Sequence, residues 1–460
     1  MKELGFTLND FTKGLRLRDN GRRNDDTLTS CFNLVPRPEG LVSPTIISEP
    51  ITAISASHPF PQIFFGDSFW LLCTEDKIYT INSDWTVTLA LDVSVYYGVF
   101  PSAPKGTWHF VDHFSFVILT NGGVTVLFNP DTGIWEFNDG STVPTIGSVA
   151  SYNGQLLGLG VTAISGDPKT VFQGTDNRYL MWGGIGVADF TIDKSNTRGN
   201  RPLVGEQYKI MILGDHIVVY GARKVSILKP SGSNYSLVRS YNYGIASREA
   251  VGGNDKNHVF IDTFGNLYRI GTDLKVIGPN YKEFFSPMLG NEIVVQHCEL
   301  YNEFYITDGV VSYCLTDIGL GEISKGYTGV GILGAIIVGI ATDFNDSSGY
   351  ITSEILDFGT KARKTTTVVE VGCVNADTVY VAIESRHNSM DVFESSDWVE
   401  LNPVGAAAIK NNGIEFKVKI KCDTAIGFKP DYVIIRAEFD DKRFIRGKTN
   451  AGTTYRGTGE

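Results

Sequence analysis

Along much of the chain a short apolar run alternates with turn residues, then with a second strand-like run. Residues 66–82 read GDSFWLLCTEDKIYTIN, and residues 111–129 read VDHFSFVILTNGGVTVLFN. The same texture returns in YNGQLLGLGV from Tyr152, GDHIVVYGARKVSILKP from Gly214, DKNHVFIDTFGNLYRIG from Asp255 and YNEFYITDGVVSYCL from Tyr301. In the second copy Phe114, Phe116 and Ile118 alternate with Ser115 and Val117. Asn121-Gly122-Gly123 then supplies the positive φ of a tight turn, and Val124, Val126 and Phe128 alternate on the way back. Period two bounded by such a turn predicts a β-hairpin. In the fifth copy Phe264-Gly265-Asn266 takes the turn role.

A polar residue opens each copy: Asp67, Asp112, Asn153, Asp215, Asn257 and Asn302, at spacings of 45, 41, 62, 42 and 45. Repeats of about 40–45 residues holding several strands are the mark of propeller blades, each of which needs neighbours to bury its faces. The expected fold is all-β: a six-unit β-propeller-like array followed by a C-terminal β-sandwich-like domain. A β-sandwich with similar turn spacing is the competing reading of the array. Helix is expected only as a turn or two from Tyr281 to Leu289, ended near Pro287. The polar run TDFNDSSG after Thr342 changes the texture, and short strands are expected at 355–358, 366–371, 378–384, 415–421 and 432–439. The division is an arm at 1–50, the array at 51–342 and the sandwich-like domain at 343–460.

Composition narrows the chemistry. The 460 residues are 42% hydrophobic, enough for a large core, and carry 50 Gly and 12% aromatics. A net charge of −11 does not suit a clamp on nucleic acid or anionic lipid. Arg16, Arg18, Arg22 and Arg23 form a basic patch, but Asp19, Asp25 and Asp26 stand among them, so a solvated or subunit-contacting arm is expected. Six dispersed cysteines (Cys31, Cys73, Cys298, Cys314, Cys373 and Cys422) read as free, mostly buried thiols, and no apolar leader follows Met1.

Three motifs invite an enzymatic or metal reading. Gly329-Val330-Gly331-Ile332-Leu333-Gly334 spells G-x-G-x-x-G, but a dinucleotide site needs a buried strand before it and a helix after it, and this run supplies neither. The uncharged stretch 329–342 is also too short to span a membrane as a helix; its glycines and β-branched residues read as a buried strand or two, with a membrane-touching loop as the alternative. Asp343 to Glu354 echoes a calcium loop, with its Gly at position 7 and no flanking helices; a linker turn is the competing reading. His109 and His113 stand four apart in a strand-like run, which does not give the paired-ligand geometry of a helix. No nucleophile elbow, phosphate loop or paired-carboxylate spacing is found. Neither cofactor, metal nor catalytic residue is expected, and the chain reads as no enzyme.

Several stretches resemble the tail-hub, nozzle or "DNA stabilization" proteins of short-tailed bacteriophages. Thr29-Ser30-Cys31-Phe32-Asn33-Leu34-Val35-Pro36 followed by Glu39-Gly40-Leu41 is similar to their opening, although Ser43-Pro44 replaces the usual Pro-Gly step. Tyr179-Leu180-Met181-Trp182, Gly184-Ile185-Gly186 and Asp189-Phe190-Thr191 resemble a second element, and Ile210–Leu228 with Tyr243-Gly244-Ile245-Ala246 a third. The order agrees over roughly residues 27–290. The resemblance implies a homo-hexamer below the portal and adaptor rings, in the virion tail after synthesis in the host cytoplasm. It implies a channel that holds the packaged genome and passes double-stranded DNA, and contact with tail fibre or needle proteins; the acidic net charge adds the expectation that the DNA passes without tight binding. Within such a channel Gly329, Gly331, Ile336, Ile337 and Gly339 are the candidate gate, and Arg16, Arg18, Arg22 and Arg23 the candidate assembly arm. The alternatives are a receptor- or carbohydrate-binding propeller and a glycan-degrading phage enzyme.

Overall fold

The computed structural model describes residues 3–9, 11–15, 27–44, 61–66, 69–94, 107–137, 146–161, 178–186, 199–333, 336–343, 346–374 and 378–439. The chain divides into two compact units. One holds residues 46–310 and 326–342. The other gathers residues 1–45, 311–325 and 343–460.

The first unit is the propeller. Five four-stranded antiparallel sheets follow one another, each with its strands in sequence order. Blade 1 is Gln62–Phe65, Trp70–Cys73, Lys77–Ile81 and Val87–Asp92. Blade 2 is His109–His113, Phe116–Thr120, Thr125–Asn129 and Ile134–Phe137. Blade 3 is Ser148–Tyr152, Gln155–Leu159, Tyr179–Ile185 and Gly199–Pro202. Blade 4 is Gln207–Leu213, His216–Gly221, Val225–Ser231 and Asn234–Tyr241. Blade 5 is Val251–Gly253, Asn257–Ile261, Leu267–Gly271 and Val276–Asn280. A sixth repeat contributes the antiparallel pair Val294–Cys298 and Glu303–Thr307.

The apolar runs follow from burial on both faces. Val117 and Leu119 of blade 2 turn toward Leu71, Cys73 and Ile78 of blade 1. Ile118 and Leu127 turn the other way, toward Val149, Leu156 and Met181 of blade 3. Blade 3 in turn meets Ile210, Ile217 and Val219 of blade 4 through Leu157, Leu159 and Trp182. A strand sandwiched between two blades has no solvent face, so it reads as a continuous apolar run and not as strict alternation.

The periodic polar residue has an equally local cause. It sits at or beside the turn between the first and second strands of a blade. Asn153 and Asn302 adopt φ of 49° and 53°, the left-handed region that Asn tolerates. In blade 4 the glycine before Asp215 takes that role, with φ 58° at Gly214. In blade 2 it falls to Phe114, φ 56° and 67% exposed. Phe114 therefore lies in a turn and not in the alternating strand read from the sequence, and the strand begins at Phe116. Asp67 and the excess length behind the 62-residue spacing, residues 162–177 and 187–198, lie outside the described residues.

The second unit is a sandwich-like pair of sheets built from distant parts of the chain. One sheet runs in the order Glu3–Leu8, Lys429–Phe439, Lys364–Val374, Ala406–Ala408. The other places Leu28–Phe32 between Gly349–Ser353, its antiparallel partner, and Leu320–Ile323, with a single parallel pairing of Phe32 to Glu322. Glu415–Cys422 and Val379–Arg386 continue it. Residues 1–50, set apart in the sequence as an arm, thus supply four strands, Glu3–Leu8, Leu28–Phe32 and the hairpin of Val35–Arg37 with Gly40–Val42, to the unit that also holds 343–460. For Glu3–Leu8 and Leu28–Phe32, partners 290 or more residues away (322 − 32 = 290 at the nearest) leave no local signal. Of the expected strands, 355–358 is instead a single bridge, Leu356 to Phe416, while Gly349–Ser353 went unread.

Candidate functional site

The first strands of the blades line a common cavity of about 370 Å³ within the propeller unit. On one wall lies a buried charge cluster. Glu249, 3% exposed, precedes the first strand of blade 5. Its Oε2 is 2.6 Å from Lys209 Nζ of blade 4, and its Oε1 lies 3.0 Å from His109 Nε2 of blade 2. Thr107 Oγ1 donates to the same Oε1 at 2.7 Å. Burial by itself would raise the Glu249 carboxyl, but Lys209 and His109 beside it hold it well below the usual carboxylate range.

The chain of contacts continues. His109 Nδ1 is 3.0 Å from Ser148 Oγ of blade 3, and the Ile210 amide donates to that oxygen at 3.1 Å. With Nε2 donating to Glu249, Nδ1 accepts the serine proton, and every group is satisfied. A serine, histidine and carboxylate in line suggest a hydrolytic relay. Ser148, however, is fully buried and its oxygen already takes a backbone N–H, so it offers no nucleophile to a substrate. What the arrangement does is fasten four blades together at their inner strands.

Other polar links repeat the theme. Trp108 N donates to Gln62 Oε1 at 2.5 Å, and His113 Nδ1 lies 2.9 Å from Ser151 Oγ. Tyr152 donates to the Asp215 carbonyl at 2.7 Å. Fully buried His258 donates from Nε2 to the Ile212 carbonyl at 3.0 Å and receives Tyr220 O–H at Nδ1, 2.9 Å. Burial lowers the His258 pKa to about 4. Asn257 Nδ2 and His297 Nε2 both donate to Asn302 Oδ1, at 3.2 and 3.0 Å. Three of the periodic polar residues, Asp215, Asn257 and Asn302, thus double as blade-to-blade contacts.

The sequence candidates fall as follows. Arg16, Arg18, Arg22 and Arg23 lie outside the described residues. Gly329 and Gly331 sit in the strand Lys325–Leu333, and Ile336, Ile337 and Gly339 in Ile336–Asp343; the two strands pair. The run is neither a helix nor a loop across its described residues. A Cβ at Gly329 would run into Ile63, and one at Gly331 into the Phe65 ring, so the glycines permit a close approach to blade 1. Ile337 is 3% exposed, and Ile340 packs with Ile63, Leu72 and Ile81 on the face of blade 1 turned away from blade 2. Gly329 and Gly331 of the G-x-G-x-x-G run therefore serve strand packing, and Gly334 lies outside the described residues.

In the calcium-like segment the carbonyls of Asp346 and Ser348 accept Asn33 Nδ2, at 2.9 and 2.7 Å. Gly349–Ser353 is extended, so at about 3.3 Å per residue Glu354 is carried far from Asp346 instead of folding back on it. Among the described residues no cluster of three or more metal-ligating side chains occurs. Five of the six cysteines are buried and none is paired. The axial charge cluster was missed in the sequence because its contacts join residues 39 to 142 apart.

No protein-family model and no curated protein matches the chain. Among solved structures it is similar to the WD40 domain of Neurospora crassa Pan2, at 9% identity over 66% of this chain and 90% of that one, TM-score 0.39. It is also similar to BBS1N in complex with ARL6DN, at 11% identity over 67% and 92%, TM-score 0.39. A third is the N-terminal domain of Nup159, at 11% over 70% and 95%, TM-score 0.34. The likeness is one of architecture and carries nothing about function.

Proposed function

We propose that this chain is a structural, non-enzymatic virion component, the tail hub or nozzle of a short-tailed bacteriophage. It assembles as a hexamer on the portal and adaptor rings and carries fibre or needle proteins. The reading rests on the ordered resemblance over residues 27–290. The observation that favours a scaffold is the axial cluster: Glu249, Lys209, His109 and Ser148 draw four blades together where a catalytic propeller would project acids into an open cleft.

The size of the cavity supports a DNA path between copies. A sphere of 370 Å³ is about 9 Å across, narrower than the roughly 12 Å major groove of B-DNA alone. A duplex passes between copies, not along a propeller axis. Six copies carry 6 × −11 = −66 formal charges, which favours a passage that repels phosphate and retains the genome by constriction. A receptor-binding propeller would present aromatic rings at equivalent blade positions, but Trp108 and Trp182 are buried and hold the blades together.

Negative-stain imaging of the purified chain mixed with the portal–adaptor complex tests the proposal. Density in a ring beneath the adaptor supports it, and free monomers beside bare adaptor rings refute it. In a gel-shift assay at physiological salt, the assembled ring is expected to leave duplex DNA unbound at sub-micromolar protein.

A further inference from the structure

The axial cavity combines aromatic walls with one surplus negative charge, and we infer that it binds a compact organic cation, a guanidinium or substituted ammonium group. The inference is independent of the virion reading. Among the described residues the charged side chains lining the cavity are Lys209, Glu249 and Glu299, which sum to −1 with the histidines counted neutral. Lys209 is not available to an anion, because its Nζ sits 2.6 Å from Glu249 Oε2 and donates to the Val251 carbonyl at 3.3 Å. Glu249 is likewise occupied, by Lys209, His109 and Thr107. The remaining charge is Glu299, exposed at the wall, where Asn254 Nδ2 donates to Oε1 at 3.1 Å.

The wall from blades 1 and 2 is aromatic. Phe64 and Phe110 stack at 5.2 Å with an interplanar angle of 23°, and both are only half-buried. A cation gains from the π faces and from the carboxylate at once, and loses less on leaving water when its charge is spread over several atoms. Among the described lining residues an anion meets two carboxylates and no uncommitted lysine. The volume is within the range of small-ligand sites, roughly 300–1,000 Å³. The cation comes from a free small molecule or from a partner's arginine or lysine side chain.

Calorimetry on the full chain decides the matter, with N-acetyl-arginine amide, tetramethylammonium, phosphate and the neutral N-acetyl-citrulline amide as probes. The expected result is saturable binding of a cation about tenfold tighter than of the citrulline isostere. Preference for the arginine derivative points to a partner's side chain, and preference for tetramethylammonium to a free quaternary amine. Glu299→Gln, a surface change, is expected to weaken binding about fivefold with the unfolding midpoint unmoved, and Phe110→Leu to weaken it while keeping apolar bulk. Equal affinity for citrulline, an unaffected Glu299→Gln variant, or phosphate binding in preference to either cation would overturn the inference.

Discussion

Individual side chains in this protein are most informative where they are buried and charged. Replacing Glu249 by Gln leaves the half-buried Lys209 ammonium without its counter-charge, and is expected to cost about 3–5 kcal/mol in urea unfolding monitored on the propeller. Exchanging Glu249 and Lys209 together for Met should recover much of that loss, because the desolvation penalty goes with the charges. The carboxyl is held below its unfolded value, so its contribution is present above about pH 4.3 and fades as pH falls further. His258 acts in a higher window. Its folded pKa of about 4 lies below the unfolded value near 6.5, so between these values only the unfolded chain takes up the proton. Stability is whole above pH 6.5 and declines by about 3 kcal/mol on going to pH 4. Unfolding midpoints measured from pH 7 to 4.5 should show this slope in the native chain and one proton less of it in His258→Gln. Identical slopes would contradict the assignment.

At the level of strands and turns, much was legible and the reasons are specific. Asn121-Gly122-Gly123 and Phe264-Gly265-Asn266 are the turns read from them; Asn121 Oδ1 accepts the amides of Gly123 and Val124, and Asp262 Oδ1 those of Phe264 and Asn266. The helical turn Lys282–Phe285, followed by a 3-10 turn at Ser286–Met288, falls within the expected 281–289. The fourth strands were faint, and Asn234–Tyr241 shows why: six of its eight residues are exposed, so no burial pattern marks it. The first strand of blade 5 is Val-Gly-Gly, too small to read as apolar, yet a Cβ at Gly252 would strike the Val295 carbonyl in the first strand of the sixth repeat. For the strand Lys325–Leu333 the same logic gives a test. Gly331→Ala must displace the Phe65 ring and is expected to lower stability by about 1–3 kcal/mol, whereas Gly5→Ala, with open space around it, should change it by less than about 0.5 kcal/mol. Equal midpoints for the two variants would show that the glycine run packs loosely and leave it eligible as a gate.

For the molecule as a whole, the sequence conveyed a propeller and a second β unit but not how the chain is shared between them. Strand Glu3–Leu8 pairs with Lys429–Phe439, and Leu28–Phe32 with Gly349–Ser353, so both ends of the chain build one unit and the propeller is inserted between them. Deleting residues 1–26 therefore removes an edge strand as well as the arginines. A subtler probe is neutralising Arg16, Arg18, Arg22 and Arg23 to Gln, which should leave both units folded and reduce ring formation; undiminished assembly would remove the arm from the account. The axial pin and the acidic balance bear on the proposed role of the assembled whole, a subunit of a ring around a passage for DNA. Counting copies tests that role most directly. Mass photometry of the portal–adaptor complex before and after adding the chain should show one discrete gain of 6 × 50.4 kDa, about 302 kDa. No gain, or a gain that rises continuously with concentration, would contradict the proposed hub.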